Sequence, residues 1–298
     1  MIDTLHIELT NRCNLKCPMC PRTMWPTEKR HEIDRKIFKN LQLDTFKQIL
    51  AIGATGDALY YPYIKEFFLY AKALNPDVNI MFSTNGVGRS DEWWRKLPLY
   101  LPDNHCVIFG LDGTDNDTLN IYRVGSDYER VVNNMRTFVD AGGTAEWQFI
   151  LFKHNEHQVD KAKELCKKYG VNFALRSSYH YSTEHKCVMR PKKNVESHLE
   201  RSMKKNEGNV VCRMENNNEI FVHSDGRIIP CCFIPSRRDE IEKLTRGIIF
   251  NVNDYPIRKC ISDHYINGIL KIVNKSKKCI DRCRVPFEAC NLERTKNE

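Results

Sequence analysis

Cys13-Asn14-Leu15-Lys16-Cys17-Pro18-Met19-Cys20 is the stretch on which the fold of this chain turns. It sets three cysteines at a Cys-x3-Cys-x2-Cys spacing, directly after Leu5-His6-Ile7-Glu8-Leu9-Thr10, which reads as a first strand. Three thiolates on one tight loop can hold three irons of an iron-sulfur cubane and leave the fourth iron open to a small ligand. A zinc loop, or three unconnected cysteines, is the plainer alternative.

Outward from that loop, short apolar runs alternate with longer periodic ones. Strands are expected near 4-10, 50-55, 78-84, 105-111, 145-151 and 171-176, and helices near 42-49, 62-74, 90-97, 127-141 and 155-169. The repetition argues for βα units around a parallel sheet. Six such strands suit an incomplete barrel better than a closed eight-stranded one, and barrels of this kind gather active-site loops at the carboxyl ends of their strands. The three cysteines lie just beyond the first of those ends.

Spacing and position together resemble the radical S-adenosylmethionine (SAM) enzymes. That resemblance implies an α/β fold, a partial (βα)6 TIM-like barrel, over roughly residues 4-176. It also implies that Cys13, Cys17 and Cys20 bind a [4Fe-4S] cluster and that the enzyme cleaves SAM reductively to a 5'-deoxyadenosyl radical. Further segments match in order. Met19, between the second and third cysteines, stands where the family often has an aromatic, so the resemblance makes it an adenine contact; otherwise it packs as an apolar side chain. Gly53-Ala54-Thr55-Gly56-Asp57 resembles the Gly-Gly-Glu-Pro segment that receives the amino group of SAM, with Gly56 and Asp57 matching its Gly-Glu step and Ala58 replacing the proline. Ser83-Thr84-Asn85-Gly86 resembles the segment lining the SAM pocket, where Ser83 and Asn85 offer hydroxyl and amide hydrogen bonds. Leu111-Asp112-Gly113 is close to the family's Ser-Leu-Asp-Gly, with Gly110 in place of serine, and Asp112 is expected to orient the ribose or the substrate. Arg123 is either a pocket residue or a surface salt bridge. Gln148 is expected to point into the barrel. Arg176 is expected either to meet the SAM carboxylate bidentately or to serve in a structural ion pair.

Three segments are expected: the barrel at 1-176, a polar connector at 177-208 and a small domain at 209-298. In the last, Glu219 to His223 and Arg227 to Pro230 flank Ser224-Asp225-Gly226, a hairpin signature. Cys212 and Cys231 bracket that hairpin, and Cys279, Cys283 and Cys290 stand near the end. The pattern resembles the twitch form of the SPASM-like auxiliary-cluster extensions. Cys212, Cys231, Cys279 and Cys283 are the preferred ligands of one auxiliary [4Fe-4S] cluster, with Cys290 as an alternative; structural zinc is the competing assignment. Cys106 and Cys166 read as packed thiols, and three scattered histidines in the connector do not make a metal set.

Composition bounds the function. The 298 residues are 41% apolar, with thirteen cysteines and no stretch of 18 or more apolar residues. A chain of this length without a secretion pattern fits metal binding in a reducing, cytoplasmic setting better than a disulfide framework. The net charge of +8 permits an anionic partner, including nucleic acid, but no nucleic-acid-binding motif accompanies it. The expected activity is a radical SAM oxidoreductase oxidising a small molecule or peptide by two electrons, served by a flavodoxin- or ferredoxin-type electron donor. Redox-neutral epimerisation, nucleotide or nucleic-acid modification, and a non-enzymatic iron-sulfur electron-transfer module are the alternatives; the sequence does not decide the substrate or the oligomeric state.

Overall fold

A computed structural model of the chain describes residues 2-24, 26, 29-178, 218-229, 250-261 and 291-296. Six strands form the parallel centre of one sheet: β1 (Thr4–Ile7), β2 (Gln48–Ala51), β3 (Asn79–Thr84), β4 (His105–Gly110), β5 (Ala145–Leu151) and β6 (Asn172–Ser177). A helix returns the chain after each of the inner strands. After the short α1 (Pro21–Met24) come α2 (Ile64–Leu74), α3 (Asp91–Tyr100), α4 (Asn116–Tyr122), α5 (Tyr128–Asp140) and α6 (Val159–Tyr169). Later segments add β7 (Glu219–Val222), β8 (Ile228–Ile229), α7 (Ile257–Cys260) and β9 (Asn291–Thr295). The sheet order is β8-β7-β1-β2-β3-β4-β5-β6-β9. β7 joins β1 in parallel, while β8 and β9 pair antiparallel at the two margins. This is the partial barrel that the βα repetition implies.

The alternation along each strand separates the two faces. Leu5 and Ile7, Ile80 and Phe82, Val107 and Phe109, and Trp147 and Phe149 belong to the apolar core with the buried faces of the helices. Trp94 of α3 meets Phe109 at 5.2 Å between centroids, and Phe138 of α5 closes on both rings. The positions between them fall on the opposite face, where His6, Gln48, Glu146 and Gln148 share the barrel interior with apolar Leu50, Met81, Ile108 and Phe221. Local chemistry starts the helices: Ser90, Asp115 and Asp127 each accept a hydrogen bond from a first-turn amide of α3, α4 and α5.

Not every element matches expectation: α4 is not among the expected helices. Residues 42-49 are not a helix; a short 3-10 turn at Leu43–Thr45 leads directly into β2. Leu43, Phe46 and Ile49 recur every third residue, which mimics a helical stripe. The Lys47 and Gln48 amides instead donate to the Asp3 carbonyl, and pairing of β2 with β1 overrides the local period. The charged stretch after Cys20 is also less of an excursion than its composition suggests: Ile37, Phe38 and Leu41 of a 3-10 helix at Arg35–Leu41 are buried in the core. Within the expected hairpin, β7 and β8 pair antiparallel across a turn at Asp225-Gly226, and β7 lies against the barrel strand β1. Most of the connector, and Cys212, Cys231, Cys279, Cys283 and Cys290, lie outside the described residues.

Candidate active site

The loop leaving β1 is pinned from several sides. Leu15 is buried beneath it, and the Lys16 amide donates to the Val124 carbonyl at 2.9 Å. Asn11 exchanges hydrogen bonds with His31 and reaches the Lys29 carbonyl. Cys13, Cys17 and Cys20 are half-buried free thiols on this loop. Asn85, at the end of β3, donates to the Asn14 side chain at 2.8 Å and lies 3.5 Å from Cys13 Sγ. Cys20 Sγ stands 4.0 Å from the Thr55 carbonyl oxygen. A cavity of about 410 Å³ opens against Cys13 and Asn14, with Arg12, Arg22, Lys29 and Arg30 among its walls.

Burial raises the Cys13 thiol above its ordinary value, reinforced by Asp57, and pushes Cys17 up to about 11 against the opposing pull of Arg123. The bare thiols therefore hold their protons near neutrality, and a bound cation is what makes them thiolates. Three soft, unbridged donors on one loop suit a cubane held at three irons. The donor set fits the cluster implied by the spacing.

The glycine loop after β2 nests on the cluster loop. A Cβ at Gly56 would run into the Thr10 carbonyl oxygen, so only glycine permits this approach, and the Asp57 amide donates to the Arg12 carbonyl at 2.8 Å. Asp57 itself is buried, with its carboxylate spent within the protein. It accepts from the Leu59 amide at 2.9 Å, the Thr84 hydroxyl at 3.1 Å and the Asn85 amide at 2.7 Å. Asp57 thus ties the glycine loop to the end of β3. Burial raises its carboxyl, with these three hydrogen bonds opposing.

Asp112 is also fully buried. One oxygen accepts from the Arg123 Nε at 2.6 Å and the other from the Ile150 amide at 2.7 Å. Arg123 is not a surface salt bridge: its guanidinium lies inside, beside Cys17, and Asp112 keeps it protonated although burial alone would lower its basicity. Gly110 explains how it fits. A Cβ there would lie 2.7 Å from Arg123 Nη2 and 3.0 Å from Cζ, so the absence of the family's serine side chain makes room for the guanidinium.

The remaining expected contacts are more scattered. Met19 and Ser83 are half-buried near the cluster loop and at the end of β3, respectively. Gln148 is half-buried on β5, opposite Gly110, and Arg176 on β6 stands 3.8 Å from Glu146 in an ion pair. Two residues escape a sequence reading. Glu8 is buried at the end of β1 and accepts hydrogen bonds from the glycine loop and from the hairpin turn. His154, beyond β5, stacks on Phe152 with both ring nitrogens buried and without hydrogen-bond partners among the described residues. Glu8 falls on the polar side of an alternating strand, with His6 and Thr10, where nothing local sets it apart, and nothing local marked His154.

The Radical SAM superfamily model matches residues 7–172, more than half of the chain. The Pyrococcus furiosus tungsten-containing aldehyde ferredoxin oxidoreductase cofactor-modifying protein is 29% identical over 112 residues, covering 36% of this chain and 30% of that protein. This chain therefore matches less than a third of the length of that relative. Among solved structures, Streptococcus suis SuiB bound to S-adenosylmethionine superposes with a TM-score of 0.65 at 15% identity, covering 97% of this chain and 72% of SuiB. Native anSMEcpe with bound AdoMet gives 0.61 at 14% identity, covering 94% and 88%. At these identities the structural likeness speaks for the fold, and the family match over the barrel and its cysteine loop speaks for the chemistry. The chain belongs to the radical SAM superfamily.

Proposed function

We propose that Cys13, Cys17 and Cys20 hold the catalytic [4Fe-4S] cluster, that SAM lies between the cluster loop and the ends of β2 to β6, and that a small polar molecule or a peptide segment enters the barrel interior. The observation that carries this reading is three unbridged thiols on one loop, with Cys20 Sγ standing 4.0 Å from the Thr55 carbonyl of the glycine loop. With its cofactors bound, such a site supplies reductive cleavage of SAM and a 5'-deoxyadenosyl radical that takes hydrogen from the substrate. The protein's own contribution is positional. Asp57 and Asn85 join two strand ends to the cluster loop, and Asp112 holds Arg123, whose charge acts on Cys17.

Within this reading the outcome is a two-electron oxidation. Cys212, Cys231, Cys279 and Cys283, with Cys290 as an alternative, would hold a twitch-like auxiliary cluster able to take the second electron, and a flavodoxin- or ferredoxin-type protein would supply the first. Peptide as a substrate class draws support from SuiB, solved bound to its precursor peptide SuiA. The barrel interior carries two ion pairs, His6 with Glu219 at 2.7 Å and Arg176 with Glu146 at 3.8 Å, which suits a substrate that bears hydrogen-bonding groups. Anaerobic reconstitution followed by measurement of 5'-deoxyadenosine tests the core of the proposal. Wild-type protein is expected to form it, and folded Cys17→Ala to lose it to background; full formation by Cys17→Ala would refute the assignment.

A further inference from the structure

Glu8 is the buried carboxylate that the assignments above leave without a role. Its Oε1 accepts from the Thr55 amide at 2.6 Å, the Thr55 hydroxyl at 2.9 Å and the Gly56 amide at 3.1 Å. Its Oε2 accepts from the Ser224 hydroxyl at 3.0 Å and lies 3.3 Å from His223 Nε2. His223 in turn meets Asp225 at 2.9 Å, and Asp225 meets Arg227 at 2.7 Å. The carboxylate is therefore held on one side by the hairpin turn and on the other gathers two consecutive backbone N–H groups of the glycine loop.

Gathering those donors has a geometric consequence. In a trans peptide the C=O points opposite to the N–H, and no described peptide is cis. Thr55 N–H aimed at Glu8 turns the Ala54 carbonyl away from it, and Gly56 N–H does the same to the Thr55 carbonyl. The Thr55 carbonyl then emerges on the cluster side, 4.0 Å from Cys20 Sγ. One face of the loop becomes a surface of hydrogen-bond acceptors with its donors occupied behind it. Such a surface recognises an ammonium group and rejects an anion.

We infer that Glu8 is a positioning residue that, clamped by Ser224 and His223 of the hairpin turn, aims the glycine-loop carbonyls at the cluster loop and so sets the affinity for the ammonium end of SAM. This rests on the reading that SAM occupies this pocket. It also makes the 219-229 hairpin part of the pocket's support, although the hairpin touches no ligand in this arrangement.

Two variants and two readouts test it. Glu8→Met keeps the side-chain volume and removes both acceptors; Glu8→Gln keeps one carbonyl acceptor for the loop and a donor for Ser224. In cluster-free protein, hydrogen exchange of the segment around Thr55 and Gly56 should be slow in wild type, at least tenfold faster in Glu8→Met, and close to wild type in Glu8→Gln. In reconstituted protein, the SAM concentration that half-saturates the change in the reduced cluster's electron paramagnetic resonance spectrum should rise about tenfold in Glu8→Met, the loss expected for a charge-assisted hydrogen bond. Glu8→Gln should remain within about threefold. Fast exchange at Thr55 and Gly56 in folded wild-type protein overturns the inference without any variant. Equal SAM titrations of wild type and Glu8→Met overturn the role of Glu8 alone. A wild-type spectrum that ignores SAM overturns the functional reading beneath it.

Discussion

Gly110, Asp112 and Arg123 show how a single missing side chain redirects a site. Glycine at 110 leaves space that the Arg123 guanidinium fills, and that guanidinium neutralises the fully buried Asp112. Removing one partner of such a pair leaves an uncompensated buried charge, a loss of about 3–5 kcal/mol. Arg123→Ala is therefore expected to destabilise the barrel by that amount in denaturant unfolding. Gly110→Ser, which pushes the guanidinium out of its seat, should cost about 1–3 kcal/mol. Because both changes act on one group, Gly110→Ser combined with Arg123→Ala should fall short of their sum by at least about 0.5 kcal/mol. Strict additivity would show that the two residues do not share the space that the geometry gives them.

At the scale of elements, the hairpin formed by β7 and β8 owes its turn to a short charged relay. Burial works to raise the Asp225 carboxyl, but hydrogen bonding and charge attraction from His223, with Arg227 beyond, hold it well below the usual carboxylate range. A carboxyl depressed in the folded state adds stability that is fully present above its unfolded value and is lost as the pH falls toward its folded value. The melting-temperature gap between wild type and Asp225→Asn is thus expected to be steady from pH 7 to about pH 5. It should narrow once the pH drops below about 3.9, the ordinary aspartate value. A gap that widened on acidification would show that the pair does not act as the geometry indicates. The hairpin matters beyond its size because its turn also supports Glu8 and β7 lines β1.

For the whole molecule, the open quantity is how many clusters one chain carries. The radical SAM barrel accounts for one cubane, and the proposed C-terminal ligands for a second. Fully reconstituted protein is expected to contain about eight iron and eight sulfide per chain, and protein with Cys13, Cys17 and Cys20 all replaced by alanine about four of each. A wild-type content that stays at one cubane after exhaustive anaerobic reconstitution would remove the auxiliary cluster and, with it, the proposed route for the second electron.

The chain by itself determined the barrel and set three cysteines on the loop after its first strand. Periodic apolar runs and turn residues are local signals, so six strands and four of the helices between them were legible, and Cys13, Cys17 and Cys20 lie within eight residues of one another on one loop. The same locality explains the misreading of 42-49, where an every-third-residue stripe looked helical until β2 found β1. Tertiary structure decided what each candidate touches. Asp57 is buried against Thr84 and Asn85, Arg123 turns inward to Asp112, and Glu8 gathers partners 47 and 216 residues away. Contacts between residues so far apart in sequence carry no periodic or spacing signature. Only the folding of β1, the glycine loop and the hairpin turn onto one another makes that carboxylate part of a site.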